Sequence, residues 1–271
     1  MTTYETFIVD IDDKIAHVRL NRPDKANSLA QTGWDELEAI FKDLDMRSDV
    51  RVIVLSGEGK NFSAGIDLEM LMGFAQSLQS KDEGRKREAL RRNVHRLQAP
   101  INAIENCSKP VLAAIHRACV GGAVDIVTAC DMRYCTDDTF FSIEEINVGM
   151  VADLGTLQRL PKLIGEGIVR ELAYTGRRML ADEAYEYQLV NQVYADKEAM
   201  MVSVMEIAKV IATKSPLSVR GTKQVLNFSR DHSVADGLEY IATWNAAMLI
   251  SDDITEAMTA KMMGRSAEFE D

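Results

Sequence analysis

Residues 110–143, PVLAAIHRACVGGAVDIVTACDMRYCTDDTFFSI, contain the local patterns that decide the fold class. The apolar run VLAAI is typical of a short buried strand, and MRYCT and FFSI also favour strands. Between them, GGAVDIVTAC places a glycine pair before an apolar segment of helical character. Strands that alternate with helices in this way predict an α/β protein.

The same alternation extends outward in both directions along the chain. IAHVRL predicts a strand that stops before Pro23, and a helix with Ser28 as its N-cap is expected to follow. VRVIVLSG predicts a further strand, residues 81–106 predict a long charged helix, and the C-terminal part is mostly helical. We therefore expect one folded unit, with a core formed by residues 1–200 and a helical C-terminal region formed by residues 201–271.

Composition and charge exclude several classes of protein. Apolar residues make up 46% of the 271 residues and charged residues 27%, as in ordinary globular proteins. No apolar run approaches the roughly 20 residues needed to span a bilayer, so no membrane partner is expected. The net charge of −11 argues against a nucleic-acid partner, because it provides no general attraction to phosphate.

The two ends of the chain and the cysteines predict a reducing compartment. The N-terminal MTTYETFIVDIDD has no basic segment followed by an apolar core, so a secretory signal is not expected. The C-terminal AEFED is not a peroxisomal targeting signal. The cysteines lack C-x-x-C spacing and lie in apolar surroundings, which predicts buried free thiols. We therefore expect a cytoplasmic protein of bacterial type.

Motifs for phosphate, serine-nucleophile and zinc chemistry do not occur in the sequence. The spacing from Gly57 to Lys60 is too short for a phosphate-binding loop, and Phe62 occupies the third glycine position of G-x-G-x-x-G. Ser63 lacks the leading glycine of G-x-S-x-G. There is no H-E-x-x-H and the four histidines are scattered, so no metal site is expected.

Two segments, NFSAGID at residues 61–67 and ACVGGAVD at residues 118–125, each pass through a glycine turn into a predicted helix. The first N–H groups of a helix have no partner within it, and the helix dipole favours negative charge there. If the two segments meet, their N–H groups can hold one carbonyl oxygen as it becomes an oxyanion. The alternative interpretation is that the glycines only permit tight turns and close helix–strand packing.

Three acidic residues in or after the second glycine segment are candidates for acid–base chemistry: Asp125, Glu145 and Asp153. Asp125 falls in the first turn of a helix, where an acid often only complements the helix dipole. Glu144 and Glu145 are adjacent and would point to opposite faces of an extended chain, so we expect Glu144 to face solvent. Acids that share an apolar pocket have raised pKa values, which suits general acid–base catalysis near neutral pH.

Both glycine segments, together with EEINVGMVADLGTLQRLPKLIG, resemble the crotonase, or enoyl-CoA hydratase/isomerase, superfamily. The resemblance extends from VRLNRPDKANSL to the helical C-terminus. It implies a crotonase-type spiral of ββα units with a helical C-terminal subdomain. It also implies an acyl-CoA substrate, no separate cofactor, and a homotrimer or homohexamer in which residues 201–271 form the trimerisation region.

The resemblance assigns roles to residues of both glycine segments. The backbone N–H groups of Ala64 and Gly122 would form the oxyanion hole for the thioester carbonyl. Backbone atoms near Ile66 would meet the adenine, and Lys25 is a candidate for contact with a CoA phosphate. The full set implied to bind acyl-CoA is Lys25, Ser63, Ala64, Gly65, Ile66, Asp67, Gly122 and Ala123.

The acidic residues indicate one branch of the superfamily. Hydratases usually carry two glutamates, where this chain has Asp125 and Glu145, and a glycine-rich loop where it has Asp153. The Asp–Glu–Asp trio more closely resembles the Δ3,5–Δ2,4-dienoyl-CoA isomerases. That resemblance implies that Asp153 removes a proton from C2, that Glu145 protonates C6, and that Asp125 shapes the pocket. Arg117 and Ala123 depart from the glycine or small residues common in the family.

Two other functions remain open at the level of the sequence. A 2-enoyl-CoA hydratase would use Asp125 and Glu145 to activate water. A catalytically silent crotonase-fold scaffold would bind acyl-CoA or a protein partner. The three acids and both glycine turns argue against the scaffold, because binding alone has no need of buried carboxylates.

Overall fold

The computed structural model describes residues 3–77 and 82–271. The strands are β1 (Phe7–Asp12), β2 (Ile15–Leu20), β3 (Val52–Gly57), β4 (Val111–Ile115), β5 (Ala118–Val120), β6 (Met132–Thr136), β7 (Phe140–Ser142), β8 (Met179–Leu180) and β9 (Gln192–Tyr194). The α-helices are α1 (Gln31–Met46), α2 (Leu68–Ser77), α3 (Glu83–Asn106), α4 (Gly122–Ala129), α5 (Thr156–Arg159), α6 (Glu166–Thr175), α7 (Ala181–Glu186), α8 (Lys197–Ala212), α9 (Pro216–Arg230), α10 (Val234–Met248) and α11 (Asp252–Met263). Short 3₁₀ helices span Pro23–Lys25, Glu144–Val148 and Leu160–Lys162. The expected start of the charged helix at residue 81 lies outside the described residues.

The larger sheet has the strand order β1-β2-β3-β4-β6-β9. β1 and β2 form an antiparallel hairpin, and the remaining neighbours are parallel. Every residue of β3 and β4 is buried, because helices cover both faces of a mostly parallel sheet. Ile53 and Leu55 pack in the core that includes α1 and α3, whereas Val52 and Val54 pack against α8.

A smaller sheet of β5, β7 and β8 places the functional segments next to one another. β5 and β7 run parallel, so their carboxyl ends lie at the same edge. The chain enters α4 after β5, and it enters the 3₁₀ helix Glu144–Val148 after β7. Ser63 forms a parallel bridge with Cys119 of β5, which brings the first glycine segment to the same edge.

The predicted α/β architecture is confirmed. Strand pairs followed by a helix recur as β1-β2-α1, β4-β5-α4 and β6-β7-α5, and helices dominate the chain from α8 onward. The expected boundary at residue 200 falls inside α8, however, and the buried residues Met200, Val204 and Ala208 of that helix cover the sheet. Residue 200 thus lies within a helix that covers the sheet, and the division into a core and a C-terminal region stays a prediction.

The beginning of α1 differs from the sequence expectation. Ser28 does not cap the helix, which starts at Gln31 after Ala30 and has no side-chain cap. Leu29 instead pairs with the first glycine segment, because its N–H donates to Gly65 O and its carbonyl accepts from Asp67 N. This extended pairing holds residues 28–30 out of the helix.

No helix in the described ranges is long and apolar enough to cross a membrane. The same ranges contain no group of three or more His, Cys, Asp or Glu side chains arranged to hold a metal ion. The four cysteines are buried free thiols, as the sequence predicts.

Candidate active site

A cleft of about 440 Å³ opens where the two glycine segments meet the 3₁₀ helix after β7. Its wall combines apolar side chains with carboxylates. The residues that line it are Lys25, Ser28, Ala64, Ile66, Asp67, Leu68, Glu69, Leu71, Gly121, Glu144, Glu145, Val148 and Met150.

The two glycine segments are in direct contact, and Gly65 permits this contact. Its φ is +79°, and a Cβ at this position would lie 2.4 Å from Val120 O and 2.8 Å from Gly122 N. A side chain at residue 65 would therefore push the first turn of α4 away. The sequence does not decide whether the two glycine segments meet, and in the structure they do.

The N–H of Ala64 does not suit the oxyanion role that the resemblance implied, because it already donates to Ala26 O at 2.9 Å. The N–H of Ile66 is the better placed group. A Cβ on Gly122 would lie 3.6 Å from Ile66 N, so the two amides are neighbours. Within the described residues neither the N–H of Ile66 nor that of Gly122 has a hydrogen-bond acceptor. The family resemblance implies only a CoA-binding role for Ile66, because spacing along the chain does not reveal which amide is already bonded.

Asp125 is fully buried in the first turn of α4. Its Oδ1 accepts two hydrogen bonds from Thr156, from the backbone N–H at 2.6 Å and from the hydroxyl at 2.7 Å. Its Oδ2 is buried without a hydrogen-bond partner in the described part of the chain. Burial raises the pKa of Asp125 to about 7; the bonds from Thr156 lower it, and the nearby charge of Glu145 raises it.

Glu145 and Asp153 are half-buried and belong to the same electrostatic cluster. Burial raises the pKa of both carboxyl groups. The charge of Asp153 also raises the pKa of Glu145, and both acids raise the pKa of Asp125. Three carboxyl groups that interact within one partly desolvated site disfavour one another's ionisation, which favours retention of a proton within the cluster.

Glu144 differs from its sequence expectation. It lies with Glu145 on a 3₁₀ helix rather than on an extended strand, so the alternation argument does not apply. Glu144 is half-buried, lines the cleft and accepts a hydrogen bond from the Ser142 hydroxyl at 2.9 Å. It is part of the wall of the cleft and not a fully solvated bystander.

The implied acyl-CoA residues divide into two groups. Lys25, Ala64, Ile66 and Asp67 line the cleft, although the carboxylate of Asp67 already pairs with Arg22 at 3.2 Å. The others are buried and are not among the residues that line the cleft: Ser63, Gly65, Gly122 and Ala123. Of this second group, Ser63 is fully buried and its hydroxyl bonds to Asn27 O at 2.8 Å, so its side chain has a structural role.

Two polar residues that no sequence motif marks support the acids. Thr156 binds Asp125, and Gln98 of α3 donates its side-chain amide to the carbonyl oxygen of Asp153 at 2.7 Å. Both contacts join segments more than 30 residues apart, and no local pattern signals them.

Comparison with known proteins supports the resemblance inferred from the sequence. The family model described as enoyl-CoA hydratase/isomerase matches residues 10–271. A peroxisomal Δ(3,5)-Δ(2,4)-dienoyl-CoA isomerase of Arabidopsis thaliana is 49% identical over 99% of this chain and 98% of its own length. A mitochondrial Δ(3,5)-Δ(2,4)-dienoyl-CoA isomerase of Homo sapiens is 45% identical over 95% of this chain and 79% of its own length. The predicted similarity to this branch is confirmed.

These relatives also correct the expected compartment. The expectation of a bacterial-type cytoplasmic protein is wrong, because relatives that match nearly the whole chain are peroxisomal and mitochondrial enzymes of eukaryotes. The cysteine pattern used for that expectation is shared by reducing compartments in general and does not distinguish among them.

Solved structures agree with the fold. The enoyl-CoA hydratase of Bacillus anthracis superimposes with a TM-score of 0.86 at 29% identity, covering 98% of this chain and 99% of that one. A putative enoyl-CoA hydratase of Streptomyces coelicolor gives a TM-score of 0.89 at 26% identity, covering 100% of this chain and 96% of that one. The crotonase-type fold class is therefore confirmed. The chain belongs to the enoyl-CoA hydratase/isomerase family.

Proposed function

We propose that this protein isomerises a 3,5-dienoyl-CoA to a 2,4-dienoyl-CoA in fatty-acid β-oxidation. The observation that carries the proposal is the cluster of Asp125, Glu145 and Asp153 beside two adjacent free amides. Burial raises the pKa of all three carboxyl groups, which suits proton transfer near neutral pH. Relatives named for this activity at 45–49% identity support the same conclusion.

In this proposal the free N–H groups of Ile66 and Gly122 bind the thioester oxygen. Proton loss from C2 moves negative charge onto that oxygen, and two preorganised donors stabilise the resulting dienolate. One such donor is worth roughly 3–4 kcal/mol of transition-state stabilisation. Gly122 begins α4, so the positive end of the helix dipole adds to the effect.

Asp153 and Glu145 are assigned to the two proton transfers. Asp153 in its ionised form accepts the proton from C2, and Glu145 in its protonated form donates a proton to C6. Both double bonds shift into conjugation with the thioester, and one proton is gained for each one lost. The reaction involves no net oxidation or reduction, so we propose that it requires no cofactor.

The role assigned to Asp125 is to determine which carboxyl group of the site holds a proton. It is fully buried and is the acid whose charge has no solvent contact. When Asp125 is ionised, its negative charge disfavours ionisation of Glu145. The proton that C6 requires then stays on Glu145.

Hydration of a 2-enoyl-CoA is the second candidate function. It is favoured by the close superposition on the enoyl-CoA hydratase of Bacillus anthracis and on the putative one of Streptomyces coelicolor. In that reaction Asp125 and Glu145 would hold a water molecule. Asp125 would offer only its Oδ2 to that water, because its Oδ1 already accepts two hydrogen bonds from Thr156.

A two-substrate assay distinguishes the candidates. The protein is incubated with crotonyl-CoA and, separately, with a 3,5-dienoyl-CoA, while enoyl and dienoyl absorbance are recorded. The proposal requires a gain of conjugated dienoyl absorbance that greatly exceeds any loss of enoyl absorbance. Faster turnover of crotonyl-CoA would make the protein a hydratase, and no turnover of either would favour the binding scaffold.

We also propose that the protein is a homotrimer or homohexamer that associates through its last helices. Ile254, Met258 and Met262 lie four residues apart on α11 and are all exposed. Ile250, in the turn before α11, is 97% exposed. Apolar stripes of this kind are costly in water and are typical of interfaces.

A further inference from the structure

We propose that Thr156 is a positioning residue that holds Asp125 and ties it to the segment that carries Asp153. This inference rests on the proposed isomerase function and extends it to a residue outside the acid trio. Three observations carry it: the double hydrogen bond, the attachment of the Asp153 segment, and the charges that face Asp125.

The first observation is the geometry of the pair. Thr156 is 1% exposed and Asp125 is fully buried. The Thr156 N–H and hydroxyl both donate to Asp125 Oδ1, at 2.6 and 2.7 Å. Two donors on one oxygen prevent rotation of the carboxylate, so Oδ2 is held in one direction. That oxygen has no hydrogen-bond partner among the described residues, so it is the free end of the group.

The second observation is that the contact connects two catalytic segments. Thr156 begins α5, three residues after Asp153. The segment is attached to α3 at both ends, because Gln98 donates to Asp153 O at 2.7 Å and Arg159 pairs with Glu105 at 2.6 Å. Thr156 attaches the middle of the same segment to α4. A change at Thr156 therefore affects Asp125 directly and Asp153 through the backbone.

The third observation is that acids face Asp125. Glu145 and Asp153 act on its carboxyl group, and its charge in turn acts on the buried thiol of Cys119. No cation is among the groups that shift the pKa of Asp125. The Thr156 donors are therefore the contacts that stabilise its ionised form. Without the hydroxyl, Asp125 takes up the proton that the reaction needs on Glu145.

The test compares Thr156→Val with Thr156→Ser, which keeps the hydroxyl. Thr128→Val is the matched control, because Thr128 is also buried beside Asp125 but its hydroxyl donates to the Asp125 backbone carbonyl at 2.9 Å. For Thr156→Val we expect kcat to fall about tenfold or more, as for loss of a hydrogen bond to a charged group. We expect KM to change by less than about twofold and the pH dependence of kcat to move to higher pH. The Ser and control variants should retain the wild-type profile.

Wild-type kcat and pH dependence in Thr156→Val would overturn the inference. So would equal losses in the Val and Ser variants, since these would indicate packing of the methyl group. In an Asp125→Asn background, Thr156→Val should cause little further loss, and a full additive loss would contradict action through Asp125. Thr156→Ala repeats the comparison if the Val variant does not fold.

A readout without turnover separates this inference from the proposed function. Infrared difference spectroscopy follows the protonated carboxyl band of Asp125, which Asp125→Asn identifies. The band should titrate at higher pH in Thr156→Val than in the wild type, and an unchanged titration would refute the link. Absence of isomerase activity in the wild type would refute the proposed function and leave this result intact.

Discussion

Asp153 is the residue on which the proposed reaction depends most directly. It is half-buried, burial raises its pKa, and its backbone is held by Gln98. We expect Asp153→Asn to reduce kcat with a 3,5-dienoyl-CoA by about 10²-fold or more, because the amide cannot accept the C2 proton. Binding of the acyl-CoA should change little, since the side chain keeps its shape. Stopped-flow turnover and calorimetric binding measure the two effects, and near-normal turnover would contradict the assignment.

A second prediction for a single residue concerns the effect of Asp125 on the stability of the folded protein. Burial raises its pKa from 3.8 to about 7, so the folded protein keeps a proton that the unfolded chain has lost. The contribution of Asp125 to the free energy of unfolding is therefore fully present below about pH 4 and is lost as the pH rises towards 7. Asp125→Asn carries no charge and still accepts from Thr156, so we expect it to raise Tm by about 3 °C or more at pH 8. At pH 5 the gain should be clearly smaller, and an equal gain at both values would contradict this account.

At the scale of elements, the contact between the two glycine segments determines whether an oxyanion hole exists. Gly65→Ala places a Cβ 2.4 Å from Val120 O at a φ of +79°. We expect α4 to shift, Tm to fall and kcat to drop about 10²-fold, as when one oxyanion donor is lost. The control is Gly167→Ala in α6, where a Cβ meets nothing within 4 Å. That variant should keep wild-type kcat and a Tm at least as high, and a similar loss in both would remove the special role of Gly65.

The secondary elements around the site differ in how far the sequence could predict them. Periodicity identified α1, β4 and α4, because their core faces are set by residues a few positions apart. It did not identify the 3₁₀ helix Glu144–Val148 or the later start of α1 at Gln31. The later start of α1 depends on pairing with a distant segment, since Leu29 bonds to Gly65 and Asp67. The 3₁₀ helix is closed by a local bond instead, from Met150 N to Glu145 O, which periodicity over a strand or an α-helix does not detect.

At the scale of the whole molecule, the last helices predict self-association. We expect sedimentation velocity to give a trimer or a hexamer for the wild type, and smaller species for the double variant Met258→Glu/Met262→Glu. Charges on the exposed stripe of α11 repel across an interface and require desolvation. Met46→Glu is the control, because Met46 is 85% exposed at the end of α1, outside the proposed interface. A monomeric wild type, or an unchanged double variant, would contradict the proposed interface.

Much of this protein was determined by the sequence alone: the α/β class, the helical C-terminus, the family and the three acids. These features depend on residue type and on spacing within a few turns of chain, which remain visible without coordinates. Only the tertiary structure decided which amides are free, that Ala64 is already bonded to Ala26, and that Ile66 lies beside Gly122. It also decided that Thr156 holds Asp125. The physical reason is that hydrogen-bond partners and burial are set by contacts between segments distant in the chain, and a linear pattern carries no record of them.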